Sequence, residues 1–97
     1  MAKLYMVTVR WVKTPANPKL IDEALTPIAL DWIRFHAWTW LLWTEKSPDQ
    51  ITNTIRLRLK PEDHLLVMPI APDAYEGWAL PWVWDWIRPK MEELKRH

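Results

Sequence analysis

Thr39-Trp40-Leu41-Leu42-Trp43-Thr44 is the stretch whose reading decides the fold; it holds no glycine, no proline and no charge. Side chains along a strand alternate between the two faces of a sheet. Read as a strand, one face carries Trp38, Trp40, Leu42 and Thr44, and the other carries Thr39, Leu41 and Trp43. A strand with one wet face would be polar at every second position. This one is large and apolar on both sides. It is therefore expected inside a sheet with both faces covered, and the remaining chain has to supply that cover.

Outward from this strand, Trp32 to Phe35 reads as a short partner strand, joined to it through His36-Ala37 in a hairpin without glycine. Downstream, Ser47-Pro48-Asp49-Gln50 has the form of a capping box with proline in the first turn. Ile51, Ile55 and Leu59 then recur every four residues, as on one helix face. Ile55, Leu57 and Leu59 also alternate with Arg56, Arg58 and Lys60, as in a strand; the cap favours the helix. His64 to Ile70 reads as the last strand. Pro69 cannot donate to a ladder and places that strand at a sheet edge. Ala71 to Gly77 is a loop, and from about Leu80 the chain turns helical. Val83, Ile87, Met91 and Leu94 lie on one face, flanked by Trp82 and Trp86, and a kink is expected at Pro89.

Upstream, Leu4 to Val12 is a first strand with two largely apolar faces, followed by a loop from Lys13 to Pro18. Asn17 and Pro18 read as cap and first residue of a helix running to about Leu30, with Leu20, Ala24, Leu25, Ile28 and Ala29 as its stripe. Pro27 should kink or divide it. The order strand–helix–strand–strand–helix–strand is that of an α+β, ferredoxin-like βαββαβ sandwich, here with an added tryptophan-rich C-terminal helix. We expect residues 1–77 to form that domain. Residues 78–97 would be a helical extension packed on it or on a dimer partner.

The chain has 97 residues, nine tryptophans, no cysteine and one glycine, with a net charge of +1 from thirteen basic and twelve acidic residues. One small core is the limit at this length. Nine indoles are more than it readily hides, so a homodimer is expected. The lack of cysteine and of any long apolar run fits the cytoplasm and no membrane association. The single glycine excludes a Gly-rich phosphate loop. The near-neutral charge is not that of a dedicated nucleic-acid binder.

Tyr5-Met6-Val7-Thr8, Thr39-Trp40-Leu41-Leu42-Trp43-Thr44, Ser47 with Ile51, and Asp63-His64-Leu65-Leu66-Val67 together resemble the SinR-like family. That family is related to the small ferredoxin-like CRISPR-associated protein two, the scaffold of spacer integration. The resemblance covers about residues 5 to 70. It implies a small, cytoplasmic, usually dimeric protein. The CRISPR-associated branch also implies a metal-dependent nuclease centred on an aspartate after the first strand's tyrosine. Here that Tyr-Asp pair falls on Val9-Arg10, and an arginine repels the cation a carboxylate would bind.

The side chains offer no acid–base pair. His36, His64 and His97 are scattered, and Glu62 with Asp63 reads as a turn cap, so no metal, cofactor or catalytic residue is expected. Arg10, Trp11, Lys13 and Arg34 could form a small basic, aromatic edge for nucleic acid, or simply a strand end and a loop. Trp82, Trp84 and Trp86 could form a ligand cage; a packing helix is the commoner use of such a pattern. Trp40, Trp82 and Trp86 are expected at an interface. The leading expectation is a non-catalytic, dimeric scaffold or binding module whose partner is nucleic acid or protein. A metal-dependent nuclease is the alternative, and a toxin or antitoxin subunit a third.

Overall fold

The organising strand is β3 (Thr39–Thr44), and it lies inside a four-stranded antiparallel sheet. The computed structural model describes residues 1–72 and 75–96. Residues 73 and 74 of the loop after the last strand, and His97, lie outside the described residues. The elements follow the order β1 (Lys3–Arg10), α1 (Pro18–Leu25), β2 (Asp31–His36), β3, α2 (Pro48–Arg56), β4 (His64–Pro69) and α3 (Pro81–Lys95). The sheet order is β2-β3-β1-β4, which makes β1 and β3 central and β4 an edge, as their side chains require. The class is α+β, with three helices on one sheet, an arrangement compatible with a ferredoxin-like fold.

Alternation along the central strands builds two cores. Tyr5, Val7 and Val9 of β1 and Trp40 and Leu42 of β3 pack with Ile21 and Leu25 of α1 and Ile51 and Ile55 of α2. Leu4, Leu41 and Trp43 point to the opposite face and pack with Val83, Ile87 and Met91 of α3. The largest buried side chain, Trp40, is stabilised by more than its area. Its Nε1 donates to Asp22 Oδ1 of α1 at 2.8 Å, so burying the indole leaves no unmet donor. The other Asp22 oxygen stands 3.7 Å from Arg34 Nη2 on β2. Thr44, buried at the strand's end, donates to the Ile28 carbonyl at 2.6 Å and accepts from Lys46 N–H.

Helix boundaries depart from the sequence reading where proline acts. Helix α1 stops at Leu25 instead of reaching Leu30. Pro27 has no N–H for the Glu23 carbonyl and its ring crowds the preceding turn. The Thr26 hydroxyl and amide instead close onto the Asp22 carbonyl. The buried stripe centres on Ile21, Ala24 and Leu25, whereas Leu20 is half-buried. Asn17 occupies the cap position without a side-chain hydrogen bond; Pro18 alone pre-sets the start. In α2 the full capping box forms, with Gln50 N–H on Ser47 Oγ and Ser47 N–H on Gln50 Oε1. The helix reading of Ile51 and Ile55 holds, and the chain leaves the helix after Arg56. Helix α3 continues across Pro89, with the ring and the neighbouring Asp85 both on the solvent side.

The β2–β3 hairpin turns at Ala37-Trp38 with no positive φ among the described residues. Two-residue hairpins normally need positive φ to match the strand twist. Here a bulge at Phe35, between the Arg34 and His36 pairings, takes up the mismatch. His36 Nδ1 accepts the Trp38 N–H at 3.1 Å. Trp38 therefore belongs to the turn, half-exposed, and not to the strand face.

The β4 edge has a defined polarity. Ile70 N–H donates to the Leu4 carbonyl, and the Tyr5–Pro69 register then alternates along the ladder. His64, Leu66 and Met68 direct their backbone groups at β1; Leu65, Val67 and Pro69 direct theirs at the open edge. The proline thus sits where its missing N–H costs no ladder bond.

Candidate interaction surface

The second sheet face is only partly roofed. Helix α3 lies over Leu4, Leu41 and Trp43, with Ile33 and Ile70 at its flanks. Its seat is fixed by Lys90, whose side chain is only 14 % exposed; Nζ stands 3.1 Å from Asp31 Oδ2 at the start of β2. The same ammonium lies 3.8 Å from the Trp86 ring centroid and donates to the Trp86 carbonyl at 3.3 Å. A cation over an indole face, shielded from water, is a favourable pairing. Trp86 is half-buried against the second core, and its Nε1 is buried without a hydrogen-bond partner among the described residues.

Val83, Ile87 and Met91 recur every four residues and so face the sheet together. Trp82 steps about 100° off that line and remains 48 % exposed, flanking the helix's packed face. Trp40 is wholly inside the first core, which removes its indole from any surface role.

Between α3, the sheet and the segment before α3 runs an apolar groove of about 260 Å³. Its floor is Leu4, Met6, Thr39 and Leu41; Phe35 and Trp84 flank it, and residues 75–79 form the rim. Gly77 is there because the backbone lies against the Trp84 ring: a Cβ would come within 3.3 Å of it. Tyr75 stacks obliquely on the same ring, with centroids 6.3 Å apart. With Gly77 facing inward and Ala79 packed on the second core, Trp78 between them is turned out and is 100 % exposed.

Beyond the groove, towards the β2–β3 turn, the sheet is bare. Met6, Phe35, Leu66 and Met68 are exposed on this face. Arg10 and His64, cross-strand partners, end it. The turn is tied to the end of β1, for the Trp38 carbonyl accepts from Val9 N–H and Thr8 Oγ1, and the Ala37 carbonyl from Trp11 Nε1.

The residues proposed for nucleic acid do not converge. Arg10 is exposed on the face shared with Leu4 and Met6. Arg34 lies on the opposite face, against Asp22 of α1. Trp11 packs on the first core, and Lys13 pairs with Glu62 at 3.7 Å. Strand alternation hides this in the sequence, because which end of β2 meets which end of β1 depends on the turn.

Asp63 has a local job. Oδ1 accepts from Val12 N–H at 3.1 Å and Oδ2 from Lys60 N–H at 3.0 Å. The Lys60 and Val12 amides hold its carboxyl below the usual aspartate value, against some desolvation, with the charges of Lys60 and His64 adding. It clamps the turn before β4 to the end of β1. A second, more polar hollow of about 400 Å³ lies beside it, lined by Thr52, Arg56 and Lys60 among others. Among the described residues no three histidine or carboxylate side chains are grouped to hold a metal ion. No helix among them is long and apolar enough to cross a membrane.

No family model, curated protein or solved structure matches this chain. The surface is therefore interpreted from its own chemistry: apolar, aromatic and open over the part of the sheet that α3 leaves bare.

Proposed function

We propose that the protein is a non-catalytic, dimerising scaffold or binding module of ferredoxin-like topology, akin to the SinR-like family, working in the cytoplasm. The strand order, with α1 and α2 on one face, supports the topology. One observation carries the function: α3 covers only part of the second face and leaves exposed both Met6 and Phe35, which line an apolar groove, and Leu66 and Met68 beside it. Solvent contact on such a patch is unfavourable, and burying it against a partner is the physical remedy. The site supplies contact area and shape: its lining is mostly apolar, with Thr39, Tyr75 and Glu76 as the polar side chains among the described residues. Nucleic acid or another protein is the partner such a scaffold would hold.

Light scattering tests the association. The expected mass is near twice the 11.7 kDa of the chain. A monomer mass up to high micromolar concentration would overturn the reading.

A further inference from the structure

We propose that the occupant of the groove is Trp78 of a second copy, and that the exchange is reciprocal, each copy giving its indole and receiving the other's. This rests on the dimer reading above and specifies its contact.

Trp78 is the outlier of the molecule, fully exposed although it is the side chain with most to gain from burial. Its outward direction is set by the backbone: Gly77 is pressed onto Trp84 and Ala79 onto the second core, so the residue between them projects. The groove beside it is apolar and, at about 260 Å³, wide enough for an indole. Tryptophan inserted into such a pocket is the usual form of a strong interface anchor.

The area is also right for a second copy. Aromatic side chains present roughly 150–250 Å² each. Phe35 at 49 %, Tyr75 at 38 % and Trp78 at 100 % exposure therefore leave roughly 300–450 Å² open. Met6, Leu66 and Met68 extend this past the few hundred Å² a monomer usually shows and towards the ~800 Å² per partner of a standard interface.

Symmetry selects the reciprocal form. Knob and hole adjoin on one patch, since Trp78 stands on the rim of the groove. A two-fold axis passing beside that rim satisfies both at once and closes the assembly at two. A head-to-tail use of the same knob and hole would instead build rings or open chains.

The test uses the full chain in two variants, Trp78→Ala, which lacks the knob, and Phe35→Arg, which obstructs the hole. Both residues are exposed, and circular dichroism checks that each variant keeps the parent's spectrum. Sedimentation should show either variant dissociating at least several hundred-fold more readily than the parent, because each variant homodimer loses two anchors of about 2 kcal/mol or more. Mixing the two should restore association, because one intact knob and one intact hole remain. If the parent is a monomer, the dimer reading and this inference fall together. If the parent dimerises and Trp78→Ala dimerises equally well, or only Phe35→Arg does, the inference alone is overturned.

Discussion

Asp63 shows how much one side chain can do without being a site. Its two oxygens each accept a backbone N–H from a different segment, and those bonds are what lower its pKa. A depressed folded value means stabilisation that is complete above the unfolded aspartate pKa, about 3.9, and lost as pH falls through the lower folded value. Asp63→Asn keeps one acceptor and no charge. It should melt lower than the parent at pH 7, by the equivalent of about 1 kcal/mol. At about pH 3 the gap should be smaller, because part of the stabilisation is lost once the pH falls below the unfolded aspartate value. A difference equal at both pH values would show that the carboxylate's charge plays no part. The adjacent acids at 62 and 63 were legible as a turn cap from their position before a strand. Which amides Asp63 would reach was not, because Val12 lies far away in sequence.

At the scale of the element, α3 is the test of how the sheet keeps its second face dry. Three buried side chains, Val83, Ile87 and Met91, contribute at most roughly 5–9 kcal/mol before ordering entropy is subtracted, at about 1.5–3 each. That rivals the whole stability of a small domain, about 5–15 kcal/mol. Ending the chain before Gly77 should give an unfolded or aggregating product. A truncated protein that remains soluble with the parent's unfolding midpoint would contradict this. The helix's stripe could be read from its four-residue spacing, as could β3 from its two apolar faces and α2 from Ser47 and Gln50. Three things were hidden. The end of α1 came earlier because Pro27 stops the helix where a longer apolar pattern seemed to continue. The hairpin's bulge put Trp38 in the turn. Periodicity also tells which residues share a face, not how far along a strand a helix reaches, so the bare part of the sheet had no signature. Trp78 lies in an irregular segment where no period applies; the chain's sole glycine beside it was the one available sign of a close backbone approach.

Taken as a whole, the molecule is protected on one side and unfinished on the other. The first face is closed by α1 and α2, with Asp22 meeting the only polar atom of the buried Trp40 indole. The second is closed over only part of its extent and carries the candidate contact. Arg10, Trp11, Lys13 and Arg34 suggested a single basic edge, and folding distributes them over two faces and three local partnerships. Charge is thereby a weak organiser here, and apolar shape the strong one.

One consequence concerns how such a molecule avoids clumping. A sticky bare face next to an unprotected strand edge would invite cross-β growth, each new chain adding its strand to the last. Pro69 stands on the outward side of β4, so an arriving strand finds amide donors only at Leu65 and Val67 and a closed position beyond them. Pro69→Val should supply the missing donor. On prolonged shaking it should give fibrils positive for an amyloid dye sooner than the parent, and equal lag times would count against this role. With the β4 edge blocked in this way, and the other edge, β2, interrupted by its bulge at Phe35, the molecule can cohere through its flat surface, where partners are finite in number, while the one-dimensional polymer that its own backbone would otherwise template is opposed.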